Sequence, residues 1–371
     1  MLDTNSIILI FVVLALLSIV VGCMCKTEYF AKYTENQELK RKVPTSAIKL
    51  VANPKLLKQS HNPNVTDIIA KEIYLDINEP SPEVYAHAEK FHRAFMDNET
   101  ERFTELKKLY SELGDPDVLV ISFFCKKYFK FFKNWVLSCE KAGIKVRDKV
   151  ITFALDSEAK KLANDFGFKS YELDSRYEKA GGSVKFGDKE FAASMFYKNA
   201  LIYDMLRIIP DSKYLLFQDS DLIWFRDPIP YLTEESKTKG FDMQIMYDGP
   251  NYNYKNIYAN SGFIFLKSND VTRAVFETAL RNSAFIFASG SHQIPLEKIF
   301  EHFILHNIFD MRVLPETEFL NGHLFKFNDS IDPKVPKDWK SSSYCLHYSW
   351  SASEEEKFEK INQLGLNFID V

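Results

Sequence analysis

Residues 213–232 read KYLLFQDSDLIWFRDPIPYL, and this stretch decides the fold class of the chain. Its first part, from Tyr214 to Phe217, is a short apolar run of the kind that forms a buried strand. Two carboxylates follow, Asp219 and Asp221, and residues two apart in an extended chain project to the same side, about 7 Å apart along the backbone. The stretch therefore predicts two acids at the carboxyl end of a strand, where open α/β sheets bind their ligands.

Two carboxylates in this position suit a hard divalent cation. Mg²⁺ and Mn²⁺ accept oxygen ligands, and a cation held by both acids could bind a diphosphate. An isolated Asp-x-Asp is a weak signal, because pairs of surface acids in turns are common. The context adds weight, since an apolar strand precedes the pair and Trp224-Phe225-Arg226-Asp227-Pro228 follows it and turns the chain.

The chain on both sides of this stretch alternates between strands and helices. Apolar runs predict strands at residues 118–124, 150–155, 243–247 and 262–266. Helical periodicity predicts helices at residues 127–142, 157–166, 191–209, 271–287 and 294–308. A Gly-rich stretch at 181–187 interrupts this order. The alternation predicts an α/β fold with a mostly parallel sheet that is flanked by helices.

The composition narrows the functional classes. A chain of 371 residues, of which 46% are hydrophobic, can form one large domain with appendages. The net charge of −4 and the isoelectric point near 6.1 argue against a general nucleic-acid binder. Aromatic residues make up 15%, which suits a bulky core and could also supply a surface on which sugars stack.

The N-terminal region predicts attachment to a membrane. Residues 1–6 are a short tail, and residues 7–25 are apolar over about the length that a membrane-spanning helix needs. A cleaved signal peptide is the alternative, but residues 21–25 read VGCMC and offer no clear small-x-small cleavage pattern. An uncleaved anchor is therefore favoured, although Asp3 before it and Lys26 after it mildly oppose a cytoplasmic N-terminus.

Residues 26–114 are predicted to form a stem before the main domain at 115–371. The stem is polar and rich in proline up to about residue 82. Residues 83–113 then have helical spacing, which fits either a stem helix or a helical cap on the main domain. Sequons at Asn64, Asn98 and Asn328 give weak support to a lumenal location, where they would accept glycans.

Several motifs follow one another in order along the main domain. They are Thr152-Phe153-Ala154-Leu155-Asp156, the helix around Lys198, Asp219-Ser220-Asp221 with its tail, Asn260-Ser261-Gly262-Phe263, and Leu346-His347-Tyr348. With these motifs, residues 118–368 resemble the nucleotide-diphospho-sugar transferase domain family, a group similar to glycosyltransferase family 77 and related to the glycogenin-like transferases. The resemblance implies a GT-A fold, in which a nucleotide-sugar-binding sheet is flanked by helices.

The resemblance also implies a metal site. Asp219, Asp221 and His347 would bind Mn²⁺, or alternatively Mg²⁺, and the metal would hold the diphosphate of a nucleotide diphosphate sugar. Imidazole suits Mn²⁺ better than Mg²⁺. A lone histidine is otherwise more often an ordinary core or surface residue, so this assignment depends on the order of the motifs.

Further residues are implied as contacts of the donor. They are Asp219, Asp221, Lys198, Gly262 and Lys357. In the sequence alone, a solvent-facing charge on a helix fits Lys198 as well and fits Lys357 better, and a plain turn before a strand fits Asn260-Ser261-Gly262 equally well. Gly262 would permit a close approach of the backbone to the donor.

One pair of residues departs from the family pattern. The family carries Asp-Gln after the helix that follows the Asn-x-Gly strand, whereas this chain has His292-Gln293. We expect Gln293, His292 and Asn260 to be the catalytic side chains that face the donor sugar. His in place of Asp removes a fixed negative charge, which would lower the rate or shift the choice of donor. The Gly that often follows the C-terminal His motif corresponds to Ser351.

Together these features predict a single-pass type II glycosyltransferase of the Golgi or endoplasmic reticulum membrane, with a lumenal catalytic domain. It would transfer a sugar from a nucleotide diphosphate sugar, expected to be UDP-linked, to a hydroxyl of a glycan or glycoprotein. The resemblance implies that the anomeric configuration is retained. A lumenal binding protein that kept the fold without the activity is an alternative, as is a phosphatase with an aspartate nucleophile. The phosphatase motif normally lies on the first strand of its domain, whereas two predicted strands come first here.

Overall fold

The computed structural model describes residues 79–173, 189–250, 257–325, 331–351 and 353–369. The expected membrane segment at 7–25, most of the stem, the Gly-rich stretch at 181–187 and the sequons at Asn64 and Asn328 lie outside these residues. Among the helices that are described, none has both the length and the apolar composition that are needed to span a bilayer.

Strands and helices alternate along the main domain, as the sequence predicts. The strands are β1 (Val118–Phe124), β2 (Val150–Ala154), β3 (Lys169–Glu172), β4 (Tyr214–Gln218), β5 (Leu222–Trp224), β6 (Met243–Tyr247), β7 (Ala259–Lys267), β8 (Met311–Val313), β9 (Phe319–Asn321) and β10 (Cys345–His347). The helices are α1 (Pro82–Met96), α2 (Glu99–Glu112), α3 (Phe129–Lys141), α4 (Ser157–Asp165), α5 (Lys189–Ile208), α6 (Ile229–Lys239), α7 (Asp270–Arg281), α8 (Ser283–Ser289), α9 (Gln293–Leu305), α10 (Trp339–Ser342) and α11 (Glu354–Gln363).

The central sheet has the strand order β3-β2-β1-β4-β7-β6-β8. The neighbouring pairs β3–β2, β2–β1, β1–β4 and β6–β8 are parallel, whereas β7 is antiparallel to both β4 and β6. Of the strands described in this sheet, β7 thus runs against all the others. The predicted α/β fold with a mostly parallel, helix-flanked sheet is confirmed, in the form of a mixed sheet.

Both faces of the sheet are buried. In β1, Leu119 and Ile121 belong to one apolar core and Val120 and Phe124 to another, because successive side chains of a strand point to opposite faces. Helices α5, α7 and α9 contribute to the first core, and α3, α4 and α6 to the second. This two-sided burial explains why the strands read as continuous apolar runs.

Two predicted elements differ from the structure. The strand predicted at 262–266 is part of β7, which begins at Ala259, so Asn260 and Gly262 lie inside a strand and not in a turn before it. The helix predicted at 271–287 is divided at Asn282 into α7 and α8. At this break the Asn282 side chain donates to the Thr278 carbonyl at 2.9 Å, a local bond of the kind that competes with helix continuation.

A second, smaller sheet contains β5, β10 and β9, in that order. Each of these strands has three residues, which is too short to show a period in the sequence. β10 is antiparallel to β5, and His347 lies opposite Leu222. This pairing brings His347 beside Asp221, although the two residues are far apart in the chain.

Helices α1 and α2 pack on the main domain. Phe95 of α1 and Leu106 of α2 belong to the same apolar core as α5. Arg102 of α2 also forms a buried ion pair with Asp204 of α5, at 2.7 Å. Of the two arrangements that fit the sequence, a stem helix or a helical cap, these contacts correspond to the cap.

Candidate active site

Three side chains with metal-binding atoms meet where β4 ends. Asp219, Asp221 and His347 each offer one ligand atom, and these atoms lie within 4.8 Å of one another. His347 Nε2 is 3.3 Å from Asp221 Oδ1 and 3.8 Å from Asp219 Oδ2. The structure therefore brings together the three residues that the family resemblance implies as metal ligands.

Backbone hydrogen bonds fix the two acids to different neighbours. The Asp219 amide donates to the Gly262 carbonyl at 2.8 Å, which extends the pairing of β4 with β7. The chain then enters β5, and the Tyr348 amide donates to the Asp221 carbonyl at 3.1 Å. The two sheets thus hold one acid each, and the small sheet also carries His347.

Two lysines bind the carboxylate oxygens that face away from His347. Lys198 of α5 donates to Asp219 Oδ1 at 2.9 Å, and Lys357 of α11 donates to Asp221 Oδ2. Each acid therefore presents one oxygen to a lysine and the other toward the imidazole. The sequence alone favoured a helix-surface charge for Lys357 and left Lys198 open, and in the structure both lysines contact the acids of this cluster.

Burial and charge oppose each other at Asp221. Burial raises the pKa of its carboxyl, but the Lys357 ammonium and the His347 ring outweigh this effect and hold the pKa far below its usual range. Burial also lowers the pKa of the Lys198 ammonium, an effect that Asp219 offsets only in part. Asp221 is therefore ionised at neutral pH, which is the form that binds a metal.

Gly262 of β7 lies directly against this cluster. A Cβ atom at this position would overlap the His347 ring, and it would lie 2.7 Å from Asp219 Oδ2 and 2.8 Å from Asn260 Oδ1. The φ angle of Gly262 is not in the left-handed region, so the lack of space and not the backbone conformation requires glycine. Gly262 thus lets the strand approach the three ligands closely.

The arrangement fits a divalent cation. Adjacent ligands that lie about 2.1 Å from an octahedral ion are about 3 Å apart. His347 Nε2 lies 3.3 Å from Asp221 Oδ1, close to this value, and 3.8 Å from Asp219 Oδ2, which is longer. Two carboxylate oxygens and one imidazole nitrogen form a set of donors that suits Mn²⁺ better than Mg²⁺.

A third carboxylate, which the sequence analysis missed, lies beside the cluster. Asp248 is buried just after β6, and it accepts from Asn260 Nδ2 at 2.5 Å and from Gln293 Nε2 at 2.9 Å. Burial raises the pKa of Asp248 to about 6, although both amide bonds oppose the shift. Its place directly after a predicted strand, at the sheet edge that carries Asp219, is a signal that could have found it.

Asn260 and Gln293 are held in this group by further bonds. Asn260 Oδ1 accepts from the Gly262 amide at 2.8 Å, and the Ser261 hydroxyl donates to Gln293 Oε1 at 3.3 Å. Two of the three predicted catalytic residues therefore meet at Asp248. Their amide groups orient a carboxylate in this structure.

His292, the third predicted catalytic residue, is buried just before α9. Within the part of the chain that the structure describes, neither of its ring nitrogens has a hydrogen-bond partner. Burial lowers the pKa of His292 well below its ordinary value, and the Lys198 ammonium adds to the effect. The ring is therefore neutral at physiological pH.

Glu297 ties α9 to β7 one helical turn after Gln293. Its carboxyl accepts from the Ala259 amide at 2.7 Å, and residues four apart in a helix share one face. Burial raises the pKa of Glu297 to about 8 in spite of this bond. The folded protein therefore holds Glu297 mostly protonated at pH 7.

Glu297→Gln should make the stability of the protein less dependent on pH. The unfolded chain ionises Glu297 near its ordinary pKa of 4.5, whereas the folded chain does so near 8. Wild-type stability should therefore fall as pH rises from 4.5 to 8 and then level off, whereas a neutral Gln avoids this loss. Above pH 8 we expect the variant to be more stable by at least about 1 kcal/mol.

Thermal unfolding between pH 5 and pH 9 measures this difference. The matched control is Glu359→Gln, the same change at an exposed position on α11. A gap between Glu297→Gln and wild type that stays constant from pH 5 to pH 9 would show that Glu297 ionises normally in the folded protein.

Comparison with known proteins identifies a family match. The family model described as nucleotide-diphospho-sugar transferase matches residues 145–363, which is more than half of the chain. Among curated proteins, the beta-arabinofuranosyltransferase RAY1 of Arabidopsis thaliana is 24% identical over 277 residues. That alignment covers 71% of this chain and 50% of the relative, so the chain spans about half the length of the curated relative that it matches.

Solved structures of glycosyltransferases also align with the chain. Mouse xyloside xylosyltransferase 1 aligns with a TM-score of 0.39 and 14% identity, over 64% of this chain and 99% of that one. The galactosyltransferase LgtC, solved with donor and acceptor sugar analogues, aligns with a TM-score of 0.38 and 14% identity, over 66% of this chain and 95% of that one.

Proposed function

Since the chain belongs to the nucleotide-diphospho-sugar transferase family, as its motifs led us to expect, we propose that it is a metal-dependent glycosyltransferase of the GT-A type. It transfers a sugar from a nucleotide diphosphate sugar, UDP-linked in our proposal, to a hydroxyl group of a glycan or glycoprotein. The anomeric configuration of the sugar is retained.

The observation that carries this proposal is the cluster of Asp219, Asp221 and His347 with a lysine on each acid. The three ligands would hold Mn²⁺, which when bound neutralises the charge that builds on the leaving diphosphate. In this proposal Lys198 and Lys357, which contact the two acids, also donate to phosphate oxygens of the bound diphosphate. In a phosphatase with an aspartate nucleophile the Asp pair normally follows the first strand of the domain, whereas Asp219 follows β4.

Asp248 would act on the sugar of the donor, at the end opposite to the nucleotide. The amides of Asn260 and Gln293 fix the orientation of its carboxylate, and a fixed negative charge stabilises an oxocarbenium-like transition state. By the family resemblance, an Asp usually stands at the position of the neutral His292. In this chain we assign the stabilisation of the transition state to Asp248, whose carboxylate is oriented by the two amides.

A panel of nucleotide sugars tests the function. The full-length protein is incubated with each donor and Mn²⁺, and the release of nucleoside diphosphate is measured beside the hydrolysis of a phosphate ester. We expect metal-dependent release from at least one donor and no ester hydrolysis. Binding of nucleotide with no turnover of any donor would favour the non-catalytic alternative, and ester hydrolysis would favour the phosphatase.

His292→Asp should raise the turnover of at least one nucleotide sugar, by about tenfold. The change restores a carboxylate next to Gln293 and near the Lys198 ammonium, which would stabilise the ionised form. Steady-state rates across the donor panel measure the effect.

His292→Asn is the matched control, because it offers similar polar atoms without the charge, and it should leave the rate close to that of wild type. Gln293→Ala should lower the rate, since it frees the Asp248 carboxylate to turn. If His292→Asp and His292→Asn behave alike on every donor, the charge at position 292 has no part in the reaction.

A further inference from the structure

Trp350 has two properties that are unusual for a large apolar residue. The residue is 45% exposed, and its backbone has a φ of +61°, in the left-handed region that bulky residues rarely adopt. Trp350 lies three residues after His347. The sequence analysis related Ser351 to the Gly that often follows the C-terminal His motif, but the residue with the left-handed backbone is Trp350. Strained backbone of this kind is concentrated at functional sites, where the surrounding contacts maintain it.

Specific contacts hold Trp350 in this conformation. Its indole Nε1 donates to the Asp248 carbonyl at 2.7 Å. The preceding residue, Ser349, donates from its hydroxyl to Asn321 Oδ1 at 2.6 Å. A Cβ atom at Gly322 would overlap the Ser349 carbonyl, so the two chain segments pack backbone against backbone. The exposed ring is therefore fixed in place and does not result from a loose loop.

The ring belongs to a row of aromatic side chains along the site, which we call the aromatic rim. Its members are Tyr258, Tyr247, His323 and Trp350. The ring centroids of successive members are 6.1, 5.7 and 6.3 Å apart. A Cβ atom at Gly249 would come within 2.6 Å of the His323 ring, so the backbone next to Asp248 packs closely on the rim.

The aromatic rim places the exposed side chain of Trp350 next to the buried carboxylate of Asp248. Trp350 bonds to the backbone of Asp248, and the carboxylate of the same residue is held by Asn260 and Gln293. A sugar ring presents an apolar C–H face and a polar edge, and such a ligand requires an aromatic surface beside oriented polar groups. An aliphatic ligand would not need the tyrosine, histidine and carboxylate groups that line the rim.

We propose that the indole of Trp350 is the platform on which the ring of the acceptor saccharide stacks. This inference rests on the proposed function. The metal ligands Asp221 and His347 are almost fully buried and would bind the diphosphate, whereas the indole faces solvent. A donor bound at the buried metal ligands and a large glycan stacked on the exposed indole would then meet at Asp248, which lies between the metal ligands and Trp350.

Two substitutions separate stacking from positioning. Trp350→Gly removes the ring and suits a left-handed backbone, so it removes strain as well. Trp350→Phe keeps an aromatic face but loses the Nε1 donor to Asp248. Tyr85→Ala is the control, because Tyr85 is an exposed aromatic residue on α1 that packs against Phe285.

Methyl glycosides of galactose, glucose, xylose and arabinose serve as acceptor probes. Their binding to the full-length protein is measured by saturation-transfer NMR with Mn²⁺ and UDP present, and their KM is measured with a donor that is turned over. We expect Trp350→Gly to raise the KM or dissociation constant at least tenfold, about 1.4 kcal/mol. Trp350→Phe should raise it by less than about threefold, and Tyr85→Ala should not change it. The dissociation constant of UDP should stay within about twofold in all variants, and Tyr85→Ala should also leave donor hydrolysis by water unchanged.

The outcomes distinguish this inference from the proposed function. If Trp350→Gly turns over a donor and its KM or dissociation constant for the methyl glycosides is unchanged, the inference is overturned and the proposed function stands. Weaker binding of UDP in that variant would assign the ring to the nucleotide, and an equal loss in Trp350→Phe would assign it to the positioning of Asp248. Glycosides that bind through Trp350 without any donor turnover would support the inference while the function fails. If no glycoside binds to the wild type, the inference is wrong.

Discussion

Asp221→Asn is expected to weaken the binding of UDP in the presence of Mn²⁺ by tenfold or more, about 1.4 kcal/mol. The amide keeps the shape of the side chain but removes the charge that would bind the metal together with Asp219 and His347. The Lys357 ammonium also loses its buried carboxylate partner. An unpaired buried cation destabilises a fold, so the melting temperature should fall as well. Calorimetry with and without Mn²⁺, at a temperature well below unfolding, measures the binding.

The matched control for this change is Asp227→Asn in the same motif. Asp227 accepts from the Ile229 amide at 3.0 Å, a local bond that an Asn side chain can also make. This variant should bind UDP and Mn²⁺ like wild type. If calorimetry finds the same affinity in Asp221→Asn as in wild type, Asp221 is not a metal ligand.

Gly262→Ala is expected to reduce turnover by about 100-fold, although it adds only one methyl group. The new Cβ atom would overlap the His347 ring and press on Asp219 Oδ2 and Asn260 Oδ1. Since His347 is buried, its ring can move only by leaving the position in which it faces the two acids. Displacements of about 1 Å near the reacting groups typically cost this much.

A double-mutant cycle with His347→Ala shows whether the methyl group acts through the histidine. If it does, Gly262→Ala should cause a much smaller further loss in the His347→Ala background. Rates and melting temperatures are measured for all four proteins. Full turnover by Gly262→Ala would contradict the close packing of β7 against the metal ligands.

Two kinds of feature were predictable from the sequence: helices and strands long enough to show their apolar pattern, and specific motifs. Five strands of the central sheet and the helices predicted to flank it have many apolar residues each, so their types were correct and their ends lay within three residues. The exception is the helix predicted at 271–287, which the structure divides into α7 and α8. The short edge strands β3 and β8 were not predicted. The Asp219 and Asp221 pair was recognisable because it directly follows a strand. Asp248 has the same relation to β6, but a single Asp after a strand forms no motif, and it was missed.

Other features depend on contacts between distant parts of the chain. The pairing of β5 with β10, which brings His347 to Asp221, involves strands of three residues each that show no period. Lys198 and Lys357 lie in helices that read as ordinary helices with a charged residue, and only the packing of α5 and α11 shows that these lysines meet the acids. The strained backbone of Trp350 likewise has no signature in the sequence.

The most direct test of the metal-dependent site is a titration of the wild-type protein with UDP, in the presence of Mn²⁺ and again in the presence of a chelator. If Asp219, Asp221 and His347 hold the metal against the diphosphate, UDP should bind at least tenfold more tightly with Mn²⁺, a difference of about 1.4 kcal/mol. Equal affinity under both conditions, or no binding of UDP or another nucleoside diphosphate in either, would contradict the proposed site.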